Sequence, residues 1–162
     1  MNTIRRAALA IVLGAGAAML AACSDAGDAP AQAAGEAAAG LTVSNARVVL
    51  APVSGNPAAV YFDLSYAGAA PVTLTAVTVE GAGMTMIHDY AESAGKMQMK
   101  MAGPIKLAQG TPVTFAPGGL HVMAMEPADT LAAGGTAKVT LTLSDGTSAT
   151  IDAPVRAAGE ER

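Results

Sequence analysis

Residues 136–153 read TAKVTLTLSDGTSATIDA. Ala137, Val139, Leu141 and Leu143 alternate with Thr and Lys; Ser144-Asp145-Gly146-Thr147 interrupts; Ala149, Ile151 and Ala153 resume the alternation. A period of two puts every second side chain on one face of a strand. Asp-Gly between two such runs is a strong hairpin signal, because the tight turn needs backbone angles that Gly tolerates. The stretch predicts two antiparallel strands sharing one apolar face.

The same texture recurs outward from this hairpin. Ala58–Tyr66 puts Val60, Phe62, Leu64 and Tyr66 on one face and Tyr61, Asp63 and Ser65 on the other. Leu41–Leu50 is rich in β-branched residues and stops at Ala51-Pro52. Pro71–Glu80 alternates in two phases, with Val72 and Leu74 on one parity and Val77 and Val79 on the other. A strand absorbs that flip only through a bulge or bend, expected near Thr75-Ala76, where a strand could cross between sheets. Shorter strands are expected at Met84–Tyr90, Lys96–Met101, Ile105–Leu107, Thr111–Phe115 and Leu120–Met125, the last ending before Pro127. No amphipathic helix stands out. Many short strands between Gly and Pro turns predict an all-β, antiparallel sandwich. Aromatic residues are only 3% of the chain and Trp is absent, so the core is expected to come from Val, Leu, Ile and Met.

The N-terminus carries a different signal. Arg5 and Arg6 precede an apolar run from residue 7 to about residue 20, too short for a comfortable permanent span. The run ends in Leu20-Ala21-Ala22-Cys23-Ser24, which resembles a bacterial lipobox. Residues 1–22 are then a lipoprotein signal peptide and Cys23 is the lipid-modified residue. Residues 23–40, Ala/Gly-rich beyond the Cys, form a tether whose reach is roughly 20–25 Å. Residues 41–155 form the folded domain, and 156–162 a short polar tail. Cleavage before Cys23 leaves 7 of the 9 basic residues against 13 acidic ones, a net charge of −6. That balance excludes nucleic acid as a partner and leaves the lipid anchor as the membrane contact. The only Cys lies in the lipobox, so no intrachain disulfide forms and no free thiolate remains after lipidation.

Residues 84–125 hold the candidate chemistry. Both histidines, His88 and His121, lie there with seven of the nine methionines: Met84, Met86, Met97, Met99, Met101, Met123 and Met125. Imidazole with thioether suits cuprous copper, a soft ion. Strand spacing puts His121, Met123 and Met125 on one face, and Met97, Met99 and Met101 on one face. His88 is expected to precede a loop, and Pro117-Gly118-Gly119 to deliver His121 near a sheet edge. Taken singly, each methionine reads as core filler and each histidine as a satisfied side chain. Their clustering favours a soft-metal site.

The spacing goes further. Ten residues separate His88 from Met99, twenty-one separate Met99 from His121, and one separates His121 from Met123. This resembles the periplasmic copper chaperone family called PCuAC, whose motif is H(M)x10Mx21HxM. The resemblance covers about Leu41–Val155, with Asp89, Lys96–Lys100 and Pro117-Gly118-Gly119 in agreement. It implies a cupredoxin-like Greek-key β-sandwich that binds one Cu(I) per monomer through His88, Met99, His121 and Met123. It also implies delivery to cytochrome c oxidase assembly, at the binuclear copper centre, or general periplasmic copper handling. Partners would be copper donor or acceptor proteins, such as the oxidase copper subunit or an assembly factor. The expected location is the periplasm of a Gram-negative bacterium, anchored by lipid. Some relatives carry a His- and Met-rich C-terminal extension; residues 156–162 contain neither residue, so no second site is expected there. Met84, Met86, Met97, Met101 and Met125 fall outside the motif.

Thioethers carry no charge and no proton, so such a site holds Cu(I) without an oxidisable Cys. Histidine protonation should weaken it below about pH 6.5. A blue-copper electron carrier needs a Cys ligand that this chain lacks beside its histidines. A hydrolase is disfavoured because no nucleophile elbow appears. The chain reads as a non-enzyme with no catalytic residues. A copper storage or resistance lipoprotein is the nearest alternative, and a structural lipoprotein without metal the next.

Overall fold

A computed structural model describes residues 40–93 and 95–160. The expected signal peptide, Cys23 and all but the last residue of the expected tether lie outside these residues. Ten strands make up the domain, and no helix is found among the described residues.

Strand β1 (Leu41–Val49) pairs antiparallel with β2 (Ala58–Tyr66). Their register shifts between Ser44 and Arg47, where Asn45 adopts a left-handed φ of 54°. The alternation read in β2 is the one observed: Val60, Phe62, Leu64 and Tyr66 are buried, whereas Asp63 and Ser65 are not. Tyr61, on the outer face, is also covered, because the Arg47 guanidinium lies 5.0 Å from its ring centroid. Strand β3 (Val72–Val79) pairs with β9 (Thr136–Leu143), and its register shifts between Leu74 and Ala76. The bulge lets both parities face inward, so Val72, Leu74, Val77 and Val79 are all buried. The strand does not change sheets there, since β9 remains its partner on both sides of the bulge.

The remaining strands are β4 (Ala82–Ser93), β5 (Lys96–Met101), β6 (Ile105–Leu107), β7 (Val113–Phe115), β8 (His121–Pro127) and β10 (Ser148–Arg156). One layer runs β5-β4-β8-β2-β1, with β7 also pairing β2; the other runs β10-β9-β3-β6. The chain crosses repeatedly between layers, the Greek-key habit of cupredoxin-like sandwiches. The pairing is not wholly antiparallel. The first and last strands, β1 and β10, pair in parallel at Val48–Val155 and Val49–Arg156 and join the two layers. The hairpin β9–β10 forms as its sequence predicts: Asp145 Oδ1 accepts from Thr147 N at 2.9 Å and from Thr147 Oγ1 at 2.7 Å, and Gly146 takes φ 85°.

Phe62 and Phe115 stack across β2 and β7 with centroids 4.3 Å apart, and Leu, Val, Ile and Ala from both layers surround them. Burying one such side chain contributes about 1.5–3 kcal/mol. One expectation fails here: among the described residues, no methionine belongs to the buried core. Two others need adjusting. His88 lies within the long β4, not before a loop, because β8 pairs its first half and β5 its second. Strand β8 extends through Pro127, which faces Ala82 at the strand terminus. Proline is tolerated there because the missing N–H falls at the end of the ladder.

Strand β4 runs parallel in direction to β2, since each is antiparallel to β8. The tip of the β4–β5 hairpin therefore points to the end of the sheet where β2 finishes at Tyr66. Leu41, the partner of Tyr66, starts the domain at that same end.

Candidate metal centre

The registers of β4, β5 and β8 place the soft side chains. His88 faces His121 on β8 and Met101 on β5. One step toward the hairpin tip, Tyr90 faces Met99; one step the other way, Met86 faces Met123; beyond that, Met84 faces Met125. Directly paired residues in an antiparallel ladder share a face, and so do residues two apart on one strand. Hence both histidines, all seven clustered methionines and Tyr90 lie on one face of the sheet. Val122 and Ala124, on the alternate parity of β8, are fully buried. The His/Met face is therefore the outer one.

His88 meets two of the other three motif residues. The His88 and His121 rings meet edge to face with centroids 5.9 Å apart. His88 Nδ1 lies 3.0 Å from the Met99 sulfur. Ligand bonds of about 2.0–2.3 Å at a tetrahedral angle set neighbouring ligand atoms roughly 3.5 Å apart, somewhat wider than this contact. Met123 lies two residues along β8 from His121, half-buried between Met86 and Ala59. All four residues thus share the outer face, with His88 touching both His121 and Met99.

His121 is the anchor of the group. It is only 5% exposed, and its Nδ1 donates to the carbonyl of Gly119 at 2.8 Å. That bond fixes the ring and leaves Nε2 with a free lone pair, the arrangement that orients a metal-ligating histidine. The turn before β8 makes the bond possible: Gly118 takes φ 80°, and Gly119 N donates back to the Ala116 carbonyl. The turn does not deliver His121 to a sheet edge, contrary to the sequence reading. Strand β8 lies inside the layer, between β4 and β2, and the exposed edge is β5. All six residues of β5 are exposed, with Met99 at 46%. One candidate ligand is thus buried and fixed, and another sits on an accessible edge hairpin.

Tyr90 was not singled out in the sequence. Its ring stacks on His121 with centroids 5.6 Å apart at 29° and covers the imidazole. Its parity with His88 was the available signal. Burial first, and then the neighbouring His121, hold the His88 imidazole below its usual pKa of 6.5, so it stays neutral to lower pH. Among the described residues, no three His, Cys, Asp or Glu side chains cluster as a metal site. The donor set is therefore two imidazoles and uncharged thioethers, which fits a soft monovalent ion and not a hard divalent one.

Fold and site together define a PCuAC-type domain. The chain belongs to the LpqE-like family of putative lipoproteins, whose pattern it matches over residues 41–155. It is 33% identical over 129 residues to "Putative lipoprotein Lxx21020" of Leifsonia xyli subsp. xyli, covering 79% of this chain and 76% of that one. Among solved structures it resembles the copper-bound PCuAC domain from PmoF2, with TM-score 0.62 and 25% identity, covering 76% of this chain and 97% of that domain. It also resembles the CuI-DR1885 solution structure from Deinococcus radiodurans, with TM-score 0.58 and 28% identity, covering 72% of this chain and 78% of that one.

Proposed function

We propose that this chain is a Cu(I) metallochaperone that carries one tightly held ion on His88, Met99, His121 and Met123. The carrying observation is that His88 contacts both His121 and Met99 on an outer sheet face whose methionines the core does not use. Here copper is cargo. The buried His121, fixed by Gly119, holds position, while Met99 on the exposed edge hairpin is free to exchange first. An acceptor ligand approaching β5 then replaces Met99 before it displaces the imidazoles. Every donor is neutral in the bound state, so transfer needs no charge separation within the site. The similarity to a copper-bound PCuAC domain supports this reading.

The test is a Cu(I) titration against a chromophoric chelator, repeated with His121→Ala and Met99→Ala. The expected result is one tight equivalent, weakened in both variants and more by His121→Ala. A wild-type protein that does not compete with the chelator overturns the reading.

The proposed destination is cytochrome c oxidase assembly at its binuclear copper centre, within wider copper handling outside the cytoplasmic membrane, with the protein anchored through Cys23. The number of thioethers on the face also favours storage or resistance. A deletion strain separates the roles: loss of oxidase activity at low copper supports delivery, whereas sensitivity at high copper with normal oxidase supports resistance.

A further inference from the structure

The motif uses two of the seven methionines on the outer face. Three of the others, Met84, Met86 and Met125, occupy the two rungs beyond the histidines, where Met86 faces Met123 and Met84 faces Met125. Opposed residues in such a ladder hold their Cβ atoms about 4.5–5.5 Å apart, and successive residues of one face follow about 7 Å along the strand. Each sulfur sits at the end of a flexible, unbranched chain, so three sulfurs from adjacent rungs can converge on one point. The next rung pairs Ala82 with Pro127, both small and apolar, so no charged group faces this cluster from β4 or β8. From β2, the neighbour of Met123 is Ala59. Met84 is 54% exposed, so its thioether is open to solvent. The whole cluster abuts the histidine rung without a break.

We propose that Met84, Met86 and Met125 form a second, weaker thioether site for a soft monovalent cation, Cu(I) or Ag(I). It lies beside the histidine site and exchanges ions with it through Met86 and Met123. The inference rests on the proposed Cu(I) reading of the histidine site. A three-thioether site lacks imidazole, so it binds more weakly and releases faster. It also has no proton competitor, because a thioether does not titrate. The face then acts as an inlet: an ion captured at the exposed Met84 moves one rung to Met86 and Met123 and is retained at His121.

The test uses the full mature protein in detergent, labelled with carbon-13 at the methionine methyls and titrated with Ag(I), a redox-inert soft ion. The first equivalent should shift the Met99 and Met123 methyls. The second should shift those of Met84, Met86 and Met125, and this second response should persist at a pH where the first is weakened. The Met84→Leu/Met125→Leu variant keeps the apolar bulk; it should keep the first response and lose the second. A second equivalent that leaves those three methyls unmoved, or that survives unchanged in the double variant, overturns the inference and leaves the histidine site standing. A first equivalent that moves neither Met99 nor Met123 instead overturns the histidine site.

Discussion

His121 is the one polar side chain that the fold buries among the described residues. It stays inside because the Gly119 carbonyl satisfies Nδ1 and Tyr90 covers the ring. Its strand partner His88 titrates differently from a free imidazole, since burial and His121 both disfavour the charged form. This gives a pH prediction with a definite sign. The folded pKa lies below 6.5, so the unfolded chain takes up the proton first as pH falls. The metal-free domain should therefore lose stability as pH drops through about 6.5, with the loss ending below the folded pKa. Denaturation midpoints across that window should fall more steeply for wild type than for His88→Gln; equal slopes would show that His88 is not the group responsible. The same shift means that the His88 contribution to Cu(I) binding survives below pH 6.5, lower than a free imidazole would allow.

Strands were the most legible elements. Alternation in residues 58–66 and 136–153 gave both the faces and the turn, because one half-buried face writes a period of two into the sequence. The phase flip in residues 72–79 marked the bulge for the same reason. Strand β4 was harder to read. Its residues are intermediate or exposed throughout, so burial imprints no alternation on it, and its length depends on two partners distant in sequence. For that reason His88 looked like a residue before a loop. The methionines carry an ambiguity that only packing resolves: a Met suits a core as well as a metal, and none of the described ones lies in the core. Tyr90 escaped notice because an aromatic residue near a histidine has no sequence signature. At this scale the β9–β10 turn offers a clean test. Gly146 adopts φ 85° and no atom lies within 4 Å of a Cβ built there, so Gly146→Ala adds only backbone strain. It should cost about 1–2 kcal/mol by chemical denaturation, with the Cu(I) titration unchanged, since the hairpin belongs to the opposite layer. A loss of copper binding in that variant would show that the two layers are coupled.

For the whole molecule, the spacing of His88, Met99, His121 and Met123 names the candidate site, while no sequence pattern signals that the first and last strands pair in parallel and join the layers. That pairing links residues more than 100 positions apart and leaves no local pattern. The proposed anchor is tested at the same scale. Mass spectrometry of the mature protein should find cleavage before Cys23 and an acylated cysteine at the new N-terminus; an unmodified N-terminus or cleavage elsewhere would reject it.

The direction of β4 puts the hairpin bearing Met99 and the first residue of β1 at one end of the sheet. If Cys23 carries the proposed anchor and Met99 the proposed copper, the start of the domain and its most exchangeable ligand share that end. An acceptor in the same membrane would then be met by a search over a surface, not through a volume.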